Sequence, residues 1–225
     1  MSRHEPVTHA LFDMDGLLLD TEIIYTQITQ KIVGRFGKTF DWSIKSNMIG
    51  RRSEESSRYL VDALALPISP EDYLQERDAL LRAAFPHCAE LPGARRLISH
   101  FSSRGIPIAV ASSSNRELYE LKTQNHPWFS MFDVVVTGDD PGIDQGKPAP
   151  DIFLRAAALI DATPANTLVF EDAPSGLAAA TAAGMRTVVV PDPNMDRSCY
   201  DGAALILDSL LEFSPADFGL PDIKE

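Results

Sequence analysis

Five short apolar runs in this chain each stop abruptly at, or one residue before, an acid or a hydroxyl residue, and that repetition constrains the fold more than any other feature. Val7–Phe12 runs into Asp13-Met14-Asp15-Gly16, and Ile106–Ala111 into Ser112-Ser113-Ser114-Asn115. Val134–Val136 ends at Thr137-Gly138-Asp139-Asp140, Leu168–Phe170 at Glu171-Asp172, and Thr187–Val190 at Pro191-Asp192. Runs of this length bounded by turn residues read as buried strands. Helical patterns separate the later runs, over 93–103, 116–124, 151–160 and 174–183. Strands alternating with helices make βαβ units, so the chain is predicted to be an α/β protein with a Rossmann-like parallel sheet flanked by helices. Ala204–Leu207 is a candidate edge strand. In open α/β sheets ligands bind beyond the carboxyl ends of the strands, and here every such end is polar.

The alternation is interrupted once. Between the first and second strands, residues 20–86 look helical throughout. Ile24, Ile28, Ile32 and Phe36 recur every four residues, as one helix face requires. Ser53 is a candidate cap for a second helix carrying Leu60, Val61 and Leu64. Ser69-Pro70-Glu71-Asp72 places a cap residue, a first-turn proline and two acids at the start of a third, running to about Phe85. The expected organisation is a core built from 1–19 and 87–225, with a small α-helical cap domain, 20–86, over its rim.

Bulk properties exclude several classes of function. The 225 residues are 44% hydrophobic and 23% charged, which suits a packed globular chain. A formal charge of −12 disfavours a nucleic-acid partner. No apolar stretch approaches the ~20 residues of a membrane span. Met1–Pro6 lacks the apolar run of a secretion signal, and Cys88 and Cys199 form no CxxC pair, so a cytoplasmic setting is expected. The five histidines have no metal-binding spacing, and there is no Gly-x-Ser-x-Gly elbow. Only three residues separate Gly142 from Gly146, where a nucleotide P-loop needs four, and Pro148 follows Lys147, which rules out that motif.

The rim residues carry the candidate chemistry. Asp13 and Asp15, with Glu171 and Asp172, offer the oxygen ligands that a hard cation such as Mg²⁺ prefers. A carboxylate can also attack phosphorus and split one difficult step into two. Taken singly, these acids are equally at home capping turns. Ser112–Asn115, at a strand end and a helix start, forms a candidate anion site. Lys147 stands in Gly146-Lys147-Pro148-Ala149-Pro150, where two prolines stiffen the backbone, and a lysine there can neutralise attacking and phosphoryl oxygens. The ordered set of four motifs, each at a predicted rim, is what separates function from turn-capping.

Read together, 12–22, 111–115, 146–153 and 170–176 resemble the haloacid dehalogenase-like phosphatases with a small helical cap, over the whole chain. The resemblance implies that Asp13 is the nucleophile and a Mg²⁺ ligand. Asp15 protonates the leaving oxygen, then activates water, and offers its backbone carbonyl to the metal. Ser112 and Lys147 hold the phosphoryl group with the backbone at Met14 and Ser113. Asp172 binds Mg²⁺, and Glu171 does so directly or through water. Gly138-Asp139-Asp140-Pro141, Ala182-Ala183-Gly184-Met185 and Phe218-Gly219-Leu220-Pro221 are similar to the pseudouridine-5′-phosphatase group and its glycerol-phosphate phosphatase neighbours. The implied substrate is a small phosphorylated metabolite, a sugar, nucleoside or polyol phosphate, with Glu22, Tyr25, Asn47, Gly50 and Arg51 as cap contacts and a monomer as the expected state. The alternatives are a phosphomutase resembling β-phosphoglucomutase and a catalytically silent binding protein. Tyr25 and Ser53 stand where the mutases carry His and Arg, and the intact Asp13/Asp15 pair opposes a silent protein.

Overall fold

A computed structural model describes residues 6–49 and 53–223. Among them are six parallel strands, β1 (His9–Phe12), β2 (Ile108–Ser112), β3 (Val134–Thr137), β4 (Thr167–Glu171), β5 (Arg186–Val189) and β6 (Leu205–Ile206), in spatial order β3-β2-β1-β4-β5-β6. The chain moves outward from β1 to β3 and then returns across β1 to begin β4. This reversal puts the topological switch point between β1 and β4, where ligands of such sheets bind. The expected edge strand exists but is only two residues long.

Side chains alternate across a strand, so each strand feeds two cores. Ala10 and Phe12 face one layer, with Ile108, Val110, Phe170 and Val188, against helix α5 (Ala94–Ser103). Leu11 faces the other, with Ala109, Ala111 and Val169, against α7 (Asp151–Leu159) and α8 (Pro174–Ala182). The first layer is filled by rings: Phe12 and Phe170 pair in register and stack at 4.6 Å, flanked by Phe101 and Phe213. The second is filled largely by alanines, which lets α7 and α8 approach closely. α6 (Arg116–Thr123) joins β2 to β3.

The segment after β1 forms α1 (Thr21–Gly34), α2 (Trp42–Lys45), α3 (Ser53–Leu64) and α4 (Pro70–Ala84). The chain leaves and re-enters the core side by side: Asp20 N–H donates to Ala89 O at 2.9 Å and Leu91 N–H to Leu18 O at 2.9 Å. Ile24, Ile28 and Ile32 are buried as the four-residue spacing requires. α1 stops at Gly34, so Phe36 reaches the same cluster from a turn beyond the helix. α4 starts where expected, with Ser69 as its cap, and the structure adds a capping box in which Ser69 and Asp72 exchange side-chain to backbone bonds. Ser53, expected as a cap, is instead the first helical residue of α3. The short helix α2, capped by Asp41, had no sequence signal beyond that cap.

Candidate active site

Strand register brings the first acids together. Phe12 pairs with Phe170, and Asp13 N–H continues the ladder to Phe170 O at 3.0 Å, so Asp13 and Glu171 lie side by side where β1 and β4 end. Both point toward the α7/α8 layer. Lys147 enters from the connection before α7 and donates to Asp13 Oδ1 at 2.5 Å, Glu171 Oε1 at 2.6 Å and the Ala111 carbonyl at 3.0 Å. Three acceptors use all three ammonium hydrogens, as a side chain only 6% exposed requires. Glu171 Oε2 accepts the N–H groups of Asp172 and Ala173 at 2.9 and 3.0 Å. Asp13, Glu171 and Asp172 offer oxygens all within 4.8 Å of one another, a donor set that fits a hard divalent cation such as Mg²⁺.

This concentration of buried negative charge is costly. Burial, opposed by Lys147 and reinforced by Glu171 and Asp15, pushes Asp13 up to about 7. Burial, then the charges of Glu171 and Asp13, hold the Asp172 carboxyl well above the ordinary carboxylate range. Two glycines make the crowding possible. A Cβ at Gly16, whose φ is +79°, would lie 2.4 Å from Asp172 Oδ2, and one at Gly176 would lie 1.8 Å from Glu171 Oε1.

The turn at Gly16 separates Asp15 from Asp13. Lys122 of α6, a buried residue, donates to Asp15 Oδ1 at 2.6 Å. Ser114 Oγ donates to Asp15 Oδ2 at 2.9 Å, and Ser112 Oγ reaches the same oxygen at 3.4 Å. Burial alone would raise this carboxyl, but the Lys122 charge and the hydrogen bonds from Lys122 and Ser114 outweigh it and hold Asp15 below its ordinary range. Two neighbouring acids thus have their affinities for protons pushed apart, Asp13 raised chiefly by burial and Asp15 lowered by Lys122 and its hydrogen bonds, the pattern of paired catalytic carboxylates.

The Ser112–Asn115 loop is fastened to β3. Gly138 N–H donates to Ser114 O at 2.9 Å, and a Cβ at Gly138 would lie 2.6 Å from Ser113 O. Arg116 holds both Asp140 oxygens, at 2.9 and 2.8 Å. The Gly138-Asp139-Asp140 stretch is therefore bracing for this loop, and Asn115 caps α6.

A cavity of about 390 Å³ opens over these strand ends, lined by Asp13, Asp15, Lys147, Glu171, Asp172 and Ser113 from the core side. Of the expected cap contacts, Glu22 and Tyr25 line it. Asn47 does not: it is exposed, and its amide donates to Ser43 O at 2.7 Å. Gly50 and Arg51 lie outside the described residues. Ser112 sits below the cavity, buried, its hydroxyl accepting the Ser114 N–H at 3.1 Å, while Met14 is buried under the turn. Lys45, Arg77 and Lys122 were not anticipated. Lys45 lines the cavity from α2 and Arg77 from α4, Lys45 paired with Glu22 at 3.0 Å. Lys122 had one sequence signal: it lies three and four residues after Tyr119 and Leu118, on the inward face of α6.

Comparison with known proteins agrees with this architecture. The profile of the haloacid dehalogenase-like hydrolases matches residues 10–190. The chain is 48% identical to (DL)-glycerol-3-phosphatase 2 of Arabidopsis thaliana over 225 residues, covering 97% of this chain and 94% of that protein. It is 42% identical to a protein of Drosophila melanogaster named probable pseudouridine-5′-phosphatase, covering 96% and 95%. The crystal structure of a haloacid dehalogenase family hydrolase from Deinococcus radiodurans R1, with bound phosphate and sodium, superposes with a TM-score of 0.83 at 26% identity, covering 96% and 99%.

Proposed function

The chain belongs to the haloacid dehalogenase-like hydrolases, and from that premise we propose that it is a Mg²⁺-dependent phosphatase of small phosphate monoesters, working through a phospho-aspartyl intermediate on Asp13. The observation that carries this reading is the grouping of Asp13, Lys147, Glu171 and Asp172 at adjacent strand ends, with Asp15 beside them on the same cavity. The names of the similar proteins support polyol or nucleoside phosphates as the substrate class.

In this mechanism an Asp13 carboxylate oxygen attacks phosphorus, and the bond from phosphorus to the leaving oxygen breaks. Asp15 gives that oxygen a proton. Water then attacks the phosphoryl group, Asp15 takes its proton, and the bond from Asp13 to phosphorus breaks to release phosphate. Asp15 starts charged beside Lys122, so the proton it donates enters from solvent while the site is open. Lys147 holds Asp13 and the phosphoryl oxygens, with Ser112, Ser113 and the Met14 backbone completing the anion site. Asp13, Asp172 and the Asp15 carbonyl would hold Mg²⁺, with Glu171 acting through water because both its oxygens are already engaged. Bound there, the ion supplies positive charge that keeps Asp13 ionised and offsets the charge developing on the phosphoryl group.

Residues 20–86 act as the cap, opening to admit substrate and closing to exclude water, with hinges at Asp20–Thr21 and Phe85–Pro86. Glu22, Tyr25, Gly50 and Arg51 are proposed to read the leaving group. The protein is proposed to act as a monomer in the cytoplasm, a reducing setting in which its two free cysteines would stay unpaired.

A phosphate-release screen over sugar, polyol and nucleoside monophosphates, including pseudouridine 5′-phosphate, with and without Mg²⁺, tests the reading. Asp13→Asn is expected to lower turnover at least ~10³-fold, a loss typical of removing a covalent nucleophile. Wild-type turnover by that variant would rule out the covalent route. Phosphate release without a bisphosphate activator separates phosphatase from mutase.

A further inference from the structure

A buried lysine is among the costliest side chains to leave without a purpose, and Lys122 is one. Its side chain is 1% exposed. Two of its ammonium hydrogens go to Asp15 Oδ1 at 2.6 Å and Ser114 Oγ at 2.8 Å. The remaining side of the ammonium faces rings: Phe85 at 4.5 Å from its centroid, and Tyr25 at 5.9 Å. Such contacts satisfy a cation without competing for its hydrogen-bond partners. Ser114 bonds both Lys122 and the second oxygen of Asp15, so the three side chains close a triangle with the carboxylate fixed at both oxygens.

The rings come from elements that the helix itself does not contain. Tyr25 belongs to cap helix α1, and Phe85 to the turn by which the chain returns to the core; the two meet edge to face at 5.6 Å. α6 is also tied to that turn: Asn125 donates to Pro86 O at 2.7 Å, and Cys88 Sγ contacts Lys122 O at 3.4 Å. Lys122 therefore touches, at once, the proton-carrying carboxylate and the aromatic pair at the hinge of the cap.

We propose that Lys122 is a positioning residue, holding the Asp15 carboxylate in the orientation from which it serves both half-reactions, in a site completed by Tyr25 and Phe85 when the cap is seated. This inference rests on the assignment of Asp15 as proton carrier. Leaving oxygen and attacking water occupy equivalent places relative to phosphorus, so one fixed carboxylate serves both, and a carboxylate free to rotate serves neither well.

A double-mutant cycle tests it, using Lys122→Met, Asp15→Asn and the pair, with p-nitrophenyl phosphate and phenyl phosphate as probes. Lys122→Met is expected to lower kcat about 10- to 100-fold, within the usual range for a general acid–base contribution, while KM moves little. Phenyl phosphate, whose leaving oxygen is more basic, should lose more kcat/KM than p-nitrophenyl phosphate. In the Asp15→Asn background the same substitution should cost almost nothing further, because its effect passes through Asp15. Lys122→Arg, retaining the charge, should recover part of the loss. Ser114→Ala removes one corner of the triangle without stranding a charge, and covers the case in which Lys122→Met does not fold; it should show the same split and the same non-additivity.

Effects of Lys122 and Asp15 that add, or a loss equal for both probes with KM rising, would overturn the positioning role. If wild-type enzyme releases no phosphate, or Asp15→Asn keeps full activity, the assignment of Asp15 fails first. An impaired Asp15→Asn beside an unaltered Lys122→Met sinks this inference alone.

Discussion

At the scale of single residues, the site is shaped as much by side chains that are missing as by those present. Gly176 lies in α8, where alanine would ordinarily stabilise by up to ~1 kcal/mol. A Cβ there would fall 1.8 Å from Glu171 Oε1, and Glu171 cannot withdraw easily, since Lys147 holds one oxygen and two backbone N–H groups hold the other. Overpacking of this kind costs about 1–3 kcal/mol, so the clash outweighs the helix preference. Gly176→Ala is expected to lower the melting temperature and weaken Mg²⁺ binding at least ~10-fold, the scale seen when groups supporting metal ligands are disturbed. Calorimetric Mg²⁺ titration and thermal melting would decide it; a stabilised variant with intact binding would show that Glu171 is free to move. Asp13, Ser112, Lys147 and Glu171 could be picked out in the sequence because each abuts an apolar run or stands just before two prolines, so local pattern and global position agree. Lys122 could not, because in Arg116-Glu117-Leu118-Tyr119-Glu120-Leu121-Lys122 a lysine looks like one more solvated charge. Only the helix face on which it falls sets it apart.

At the scale of elements, the strands were legible and the helices between β1 and β2 were legible in part. Buried parallel strands are continuous apolar runs, and β2 to β5 match their predicted positions within two residues. Chain reversal to β4 has no local signature, so strand order entered only with the structure. In the cap, α1 and α4 announced themselves by periodicity and capping, whereas α2 is a single turn that propensity alone does not support. α4 gives a direct test of how far local chemistry stabilises the cap. Ser69 Oγ accepts the Asp72 N–H at 3.0 Å, and Asp72 Oδ2 accepts the Ser69 N–H at 3.4 Å. Ser69→Ala should cost about 1 kcal/mol. For a chain of this size that is roughly 2–4 °C in melting temperature. Ser69→Asp, also a good cap residue, should restore most of it. Equal melting of all three proteins would mean that packing of Tyr73 and Leu81, not the capping box, sets where α4 begins.

At the scale of the whole molecule, folding and metal binding are coupled through the same buried acids. Asp13 has an unperturbed value of 3.8 and is pushed up to about 7 in the fold, chiefly by burial. A carboxyl raised in this way is favoured as its neutral form by the folded state. Its contribution to stability is therefore complete below about pH 4 and is lost as pH rises through about 7. Asp172, raised in the same direction, adds to the trend. Asp15 acts oppositely, because its value is lowered, but its window lies below 3.8 and does not overlap. Without divalent cation, the contribution of Asp13 should weaken between about pH 4 and pH 7. On the proposed reading, Mg²⁺ would replace the proton that Asp13 loses, and proton and metal would compete for the same oxygens. At pH 8, Mg²⁺ at a hundred times its dissociation constant should add ~2.7 kcal/mol. For this chain length that is roughly 5–10 °C. At pH 5 the same concentration should add far less. Melting curves at both pH values, with Mg²⁺ and with chelator, measure the difference directly. In Asp13→Asn, which keeps the shape of the site but removes one titrating carboxylate, both the pH trend and the Mg²⁺ increment should shrink. A Mg²⁺ increment that is the same at pH 5 and pH 8, or that survives in Asp13→Asn undiminished, would place the stabilising ion somewhere other than the strand ends that hold Asp13, Glu171 and Asp172.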